Sequence, residues 1–144
     1  VHVYTSSVIP APVDRVWSTV RDFNALPVWT LFVTQSRIES NLPSDQIGCI
    51  RAFKLEDGGY IREQLLALSD YEYSFSYAIL ESPMGVENYV ATVRLMPITD
   101  GNQTFAEWSA EFECAPARET ELIEHIGNNV FQAALNSLRT HLGG

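Results

Sequence analysis

Gly48-Cys49-Ile50-Arg51-Ala52-Phe53-Lys54-Leu55, Glu56-Asp57-Gly58-Gly59 and Tyr60-Ile61-Arg62-Glu63-Gln64-Leu65-Leu66-Ala67 follow one another without interruption. The outer two segments read as strands and the middle one as the turn joining them. Each arm carries a charge among apolar neighbours, Arg51 on the first and Glu63 on the second. Strand side chains alternate faces, so the two charges share a face only if the loop has an odd length. A three-residue loop, Glu56-Asp57-Gly58 with Gly58 left-handed, places Arg51 directly opposite Glu63. A two-residue Asp57-Gly58 turn puts them on opposite faces. In the first register Arg51 shares its face with Cys49 and Phe53, and Glu63 with Ile61 and Leu65. That face is apolar enough to be an interior. An isolated ion pair in a dry core stabilises poorly, because desolvation can exceed the Coulomb gain. Facing a cavity, the same pair would orient a polar ligand.

Outward from this hairpin the pattern repeats. Strands are expected at Phe32–Ser40, Gly48–Leu55, Gly59–Leu68, Tyr71–Leu80, Asn88–Pro97 and Thr104–Cys114, divided by short turn segments. Alternation is strict at Tyr73, Phe75, Tyr77 and Ile79, and again at Ala106, Trp108, Ala110 and Phe112, so one face is dry and the other wet. Val1 to Ile9 reads as a further strand, ended by Pro10-Ala11-Pro12. A helix is expected from Val13 to Asp22, and a shorter one at Ala25–Trp29 with Asn24 as its cap. Trp17 and Trp29 are expected to pack these helices against the sheet. The last segment, Ala117 to Leu142, predicts one long helix with an apolar stripe at Leu122, Ile126, Val130, Leu135, Leu138 and Leu142. Ile123, Phe131 and Ala134 widen the stripe. Gly127 within it would leave room for a ligand or allow close packing.

The expected fold class is therefore α+β. A seven-stranded antiparallel sheet wraps a long C-terminal helix, with two short helices after the first strand: a sheet gripping a helix. At 144 residues the chain reads as a single domain, 1–144, with no repeat or linker. A formal charge of −9 argues against nucleic acid and an anionic membrane surface. No apolar run is long enough for a spanning helix, so no membrane insertion is expected. Cys49 and Cys114 suggest free thiols in a reducing cytoplasm rather than a disulfide framework or zinc site. His2, His125 and His141 do not cluster, and no phosphate loop or nucleophile elbow is present. Neither a metal nor another cofactor is expected.

Several motifs together carry a family resemblance. They include Pro10-Ala11-Pro12-Val13-Asp14-Arg15-Val16-Trp17, Asp22-Phe23-Asn24-Ala25-Leu26-Pro27-Val28-Trp29, Gly48-Cys49-Ile50-Arg51 and Asn88-Tyr89-Val90-Ala91-Thr92-Val93. The chain resembles the polyketide cyclase/dehydrase-like members of the START-related, birch-pollen-allergen-like (SRPBCC) superfamily, over nearly its whole length. The resemblance implies a helix-grip fold and a cavity for a hydrophobic small molecule. It also implies roles. Abscisic-acid receptors carry an Arg, a Glu and a Tyr in their polar ligand network at positions matching Arg51, Glu63 and Tyr89. In lachrymatory factor synthases the same Arg and Glu are catalytic, and the Tyr lines the site. The sequences flanking the three residues here are more similar to the synthases. The receptors' Ser-Gly-Leu-Pro gate has no counterpart at Leu55-Glu56-Asp57-Gly58-Gly59.

Arg51, Glu63 and Tyr89 are thus the candidate polar ligand-binding residues, with Phe53, Tyr77, Trp108 and Phe131 as apolar walls. Three functions fit. The protein would bind a small, mostly hydrophobic oxygenated molecule. Alternatively, it would be a cyclase, dehydratase or isomerase with Glu63 as catalytic acid/base and Arg51 stabilising developing negative charge. Or it would be a non-catalytic interaction module with its cavity nearly filled.

Overall fold

The computed structural model describes residues 1–143. Seven strands form one antiparallel sheet: β1 (His2–Ile9), β2 (Val33–Ile38), β3 (Ile50–Leu55), β4 (Tyr60–Ser69), β5 (Ser74–Glu81), β6 (Glu87–Ile98) and β7 (Gln103–Glu113). Their order is β1-β7-β6-β5-β4-β3-β2. Strands β2 to β7 form the meander that serial short turns require, and β1 closes onto β7. Two short helices, α1 (Val13–Val20) and α2 (Leu26–Trp29), follow β1.

The β3–β4 hairpin adopts the three-residue loop. Leu55 N donates to Gly59 O, and Gly58 has φ +91°. Arg51 therefore pairs directly with Glu63. On β5 and β7 the alternation holds, with Phe75, Tyr77, Ala106, Trp108, Ala110 and Phe112 all buried. Strand β5 starts only at Ser74, because Tyr73 sits at φ +54° and ends the preceding turn. Asn24 does not cap α2. Ala25 holds that position without a side-chain bond, and Asn24 Oδ1 accepts from Ser36 Oγ instead. Trp17 anchors α1 to the β4–β5 turn, donating its indole N–H to Asp70, which also takes two bonds from Arg21.

The C-terminal helix differs from the expected uniform α-helix. It consists of α3 (Glu119–Glu124), a π-helical segment (His125–Gln132) and α4 (Ala133–His141), after a 3₁₀ turn at Pro116–Arg118. Ala133 N donates to Asn128 O, five residues back. The wider winding changes which side chains face the core. Buried positions run Leu122, Ile126, Phe131, Leu135, Leu138 and Leu142, with a step of five between 126 and 131. Phe131 thus takes the core position that α-helical spacing assigns to Val130, which is only half-buried. Gly127 packs against β1, where a Cβ would meet Val3 Cγ1 at 3.5 Å, an ordinary contact. No helix among the described residues is long and apolar enough to cross a membrane.

Candidate functional site

Between the sheet, α2 and the π segment lies a cavity of about 280 Å³. Its wall is mainly apolar, with Leu26, Phe53, Ile61, Ile79, Met84 and Trp108 among the lining residues. Thr30, Arg51, Glu63, Tyr77 and Tyr89 form the buried polar part of the lining, while Glu56, Asp57, His125 and Asn129 are its exposed polar residues.

Register and bulges aim the polar side chains. Glu63 sits at a β4–β5 irregularity, where pairing shifts between Arg62 and Glu63. Tyr89 sits in a second, where β6–β7 pairing shifts between Glu87 and Val90 and Asn88 adopts φ +51°. Such bulges bend a strand and re-aim its side chains. Arg51 is 3% exposed and Glu63 6%. Arg51 donates to Glu63 Oε1 from Nε at 2.8 Å, and its Nη2 lies 2.7 Å from the same oxygen. Its Nη1 donates to Phe23 O at 3.2 Å. The guanidinium carbon lies 3.9 Å from the Phe23 ring centroid and 4.9 Å from that of Tyr77. These faces attract a cation and partly replace its lost hydration. Glu63 Oε2 takes no hydrogen bond from the described residues.

Burial pushes the Glu63 carboxyl above the usual carboxylate range, and Arg51 pulls the other way by charge and hydrogen bonding. Burial likewise raises the Tyr77 and Tyr89 phenols, with the charge of Glu63 adding to both. Both phenols are therefore hydroxyls at neutral pH. Tyr77 accepts from Trp108 Nε1 at 3.0 Å, which fixes the indole as a cavity wall.

Six of the seven residues singled out from the sequence line this cavity: Arg51, Phe53, Glu63, Tyr77, Tyr89 and Trp108. Phe131 does not. It is fully buried and stacks on Trp108 at a centroid distance of 4.7 Å and 12°. The π winding turns Phe131 into the core and gives Val130 the place on the wall. Sequence reasoning also missed Phe23, which lies outside the strands yet supplies both a carbonyl and a ring face to Arg51. Its only sequence signal is the Asp22-Phe23-Asn24 motif between the helices. Trp29 is buried against Trp108, and its Nε1 has no hydrogen-bond partner among the described residues. Among the described residues no three His, Cys, Asp or Glu side chains are placed to hold a metal ion.

A family model described as polyketide cyclase/dehydrase and lipid transport matches residues 1–143. An uncharacterised protein from Bacillus thuringiensis is 27% identical, with a TM-score of 0.88 over 99% of this chain and 98% of that one. A START superfamily protein from Mycobacterium smegmatis shares the fold at 13% identity, with a TM-score of 0.80 over 98% of this chain and 96% of that one. Norcoclaurine synthase from Thalictrum flavum, a point mutant bound to a transition-state analogue, shares it at 14% identity. Its TM-score is 0.76, over 99% of this chain and 93% of that one.

Proposed function

Because the chain belongs to the polyketide cyclase/dehydrase and lipid transport family, we propose that it binds a small, mostly apolar molecule bearing one or two oxygen groups. The observation that carries this reading is a largely apolar cavity of about 280 Å³ with one buried polar cluster, Arg51, Glu63 and Tyr89. Apolar walls supply affinity by burial, and a few placed polar groups supply orientation. The test is thermal stabilisation by a library of small oxygenated hydrophobic molecules, with Glu63→Gln and Arg51→Ala alongside. Hits weakened in the variants support the reading. A library without hits at about 1 mM limits any affinity to weaker than about −4 kcal/mol and counts against it.

Glu63 favours a second reading, as an enzyme of the cyclase, dehydratase or isomerase type. A carboxyl with a raised pKa and one unpartnered oxygen, lining a cavity, suits proton transfer. Arg51 would stabilise negative charge developing on the substrate. Glu63→Gln would then leave binding largely intact while turnover falls by about 100-fold or more. Loss of affinity with no turnover to lose supports binding alone.

A further inference from the structure

Which oxygen or nitrogen chemistry the cavity accepts follows from how its charges are already used. Arg51 is the only Lys or Arg among the lining residues. Two of its nitrogens lie within hydrogen-bond distance of Glu63 Oε1, another donates to Phe23 O, and aromatic rings pack around its guanidinium. An incoming carboxylate would have to displace Glu63 or lie beside it. Against this one guanidinium the lining carries three carboxylates, Glu63 inside and Glu56 and Asp57 on the exposed β3–β4 turn. An anion would therefore enter a field of its own sign and meet no Lys or Arg but Arg51, whose charge Glu63 already balances. The acceptor left over on the pair is Glu63 Oε2, and the Tyr89 hydroxyl also lines the cavity.

We propose that the cavity selects ligands whose polar group is a hydrogen-bond donor without negative charge, a hydroxyl or an amine, and rejects carboxylates of the same skeleton. This rests on the cavity being the binding site, as proposed above. The donor group bonds Glu63 Oε2, and Arg51 acts as a positioning residue that holds the carboxylate in place. A hydroxyl would use its oxygen to accept from Tyr89, and an ammonium would gain from the negative lining.

Four naphthalene probes separate the possibilities by isothermal calorimetry on the full chain at neutral pH. They are 2-naphthol, 2-naphthylmethylamine, 2-methoxynaphthalene and 2-naphthoate. The expected result is that 2-naphthol, the amine or both bind at least about tenfold tighter than the methoxy compound and the naphthoate, because a hydrogen bond to a charged group is gained only by a donor. Whichever of the two binds tighter identifies the neutral or the cationic source of the donor. In Glu63→Gln the preference over naphthoate should shrink severalfold. Naphthoate binding as tightly as both donor probes would overturn the proposal, and so would the methoxy compound matching them. Those outcomes leave cavity binding intact. Binding by none of the four probes would remove the binding reading itself and this selectivity with it. The wild-type series decides the matter even if the variant fails to fold.

Discussion

Trp108 and Phe131 stack face to face, with ring centroids 4.7 Å apart and planes 12° from parallel. One ring forms the cavity wall and the other supports it from behind. Trp108 is also held by its bond to Tyr77, so the indole is fixed on two sides. A rigid wall costs a ligand less ordering on binding than a mobile one.

Phe131→Ala should therefore act on stability. A buried Phe truncated to Ala costs about 3–5 kcal/mol, readable as a fall in the urea midpoint at unchanged slope. Val130→Ala, on the cavity wall, should cost far less stability and change ligand affinity instead. If the two variants exchange phenotypes, the helix is wound as α rather than π across residues 125–132.

Arg51→Met strands the Glu63 carboxylate in a buried site. The expected loss is about 3–5 kcal/mol, because the remaining charge has no partner. Adding Glu63→Leu should recover most of that loss, since a well-packed apolar pair is often as stable as a buried ion pair. Urea unfolding of both single variants and the double variant completes the cycle. A double variant that is no more stable than Arg51→Met would show that the pair itself, rather than its rupture, dominates.

Glu63 also sets a pH dependence. Its pKa is raised in the folded state, with burial the larger cause and Arg51 opposing. A group of this kind contributes stability fully below its unfolded pKa of about 4.3 and loses that contribution as pH rises through the folded value. Gln does not titrate. The stability of Glu63→Gln relative to wild type should thus rise with pH from about 4.3 upward. Glu39 and Asp70 have lowered pKa values and run in the opposite sense, but both proteins carry them and they cancel in the difference. A difference that falls with pH would mean that the attraction of Arg51 outweighs desolvation.

Gly58 holds the hairpin register. At φ +91° a Cβ is strained, although nothing within 4 Å would obstruct it. Gly58→Ala should cost about 1–2 kcal/mol, and Gly58→Asn less, because Asn tolerates left-handed backbone. Equal losses for the two would point to something other than backbone conformation.

Much of this was legible in the sequence because it depends on local periods. The two-residue alternation of Phe75 and Tyr77, and of Ala106 through Phe112, marks the dry face wherever the strands pair. The odd loop Glu56-Asp57-Gly58 needs only parity and a permissive glycine to bring Arg51 and Glu63 together. The local pattern failed where an element broke its own period. Nothing in His125 to Gln132 announces a π segment, and a helix read at 3.6 residues per turn puts Phe131 in the cavity and Val130 in the stripe.

The sequence by itself determined the order of elements and the buried face of the sheet, and narrowed the relation of Arg51 to Glu63 to two hairpin registers. Each follows from the backbone geometry of neighbouring residues. Only the tertiary structure decided that Arg51 also bonds Phe23, that a single oxygen of Glu63 takes both contacts from Arg51, and that Phe131 backs Trp108. Those relations join residues from separate elements. They are set by how helix and sheet pack, which is a balance of volume, burial and hydrogen bonding over the whole core.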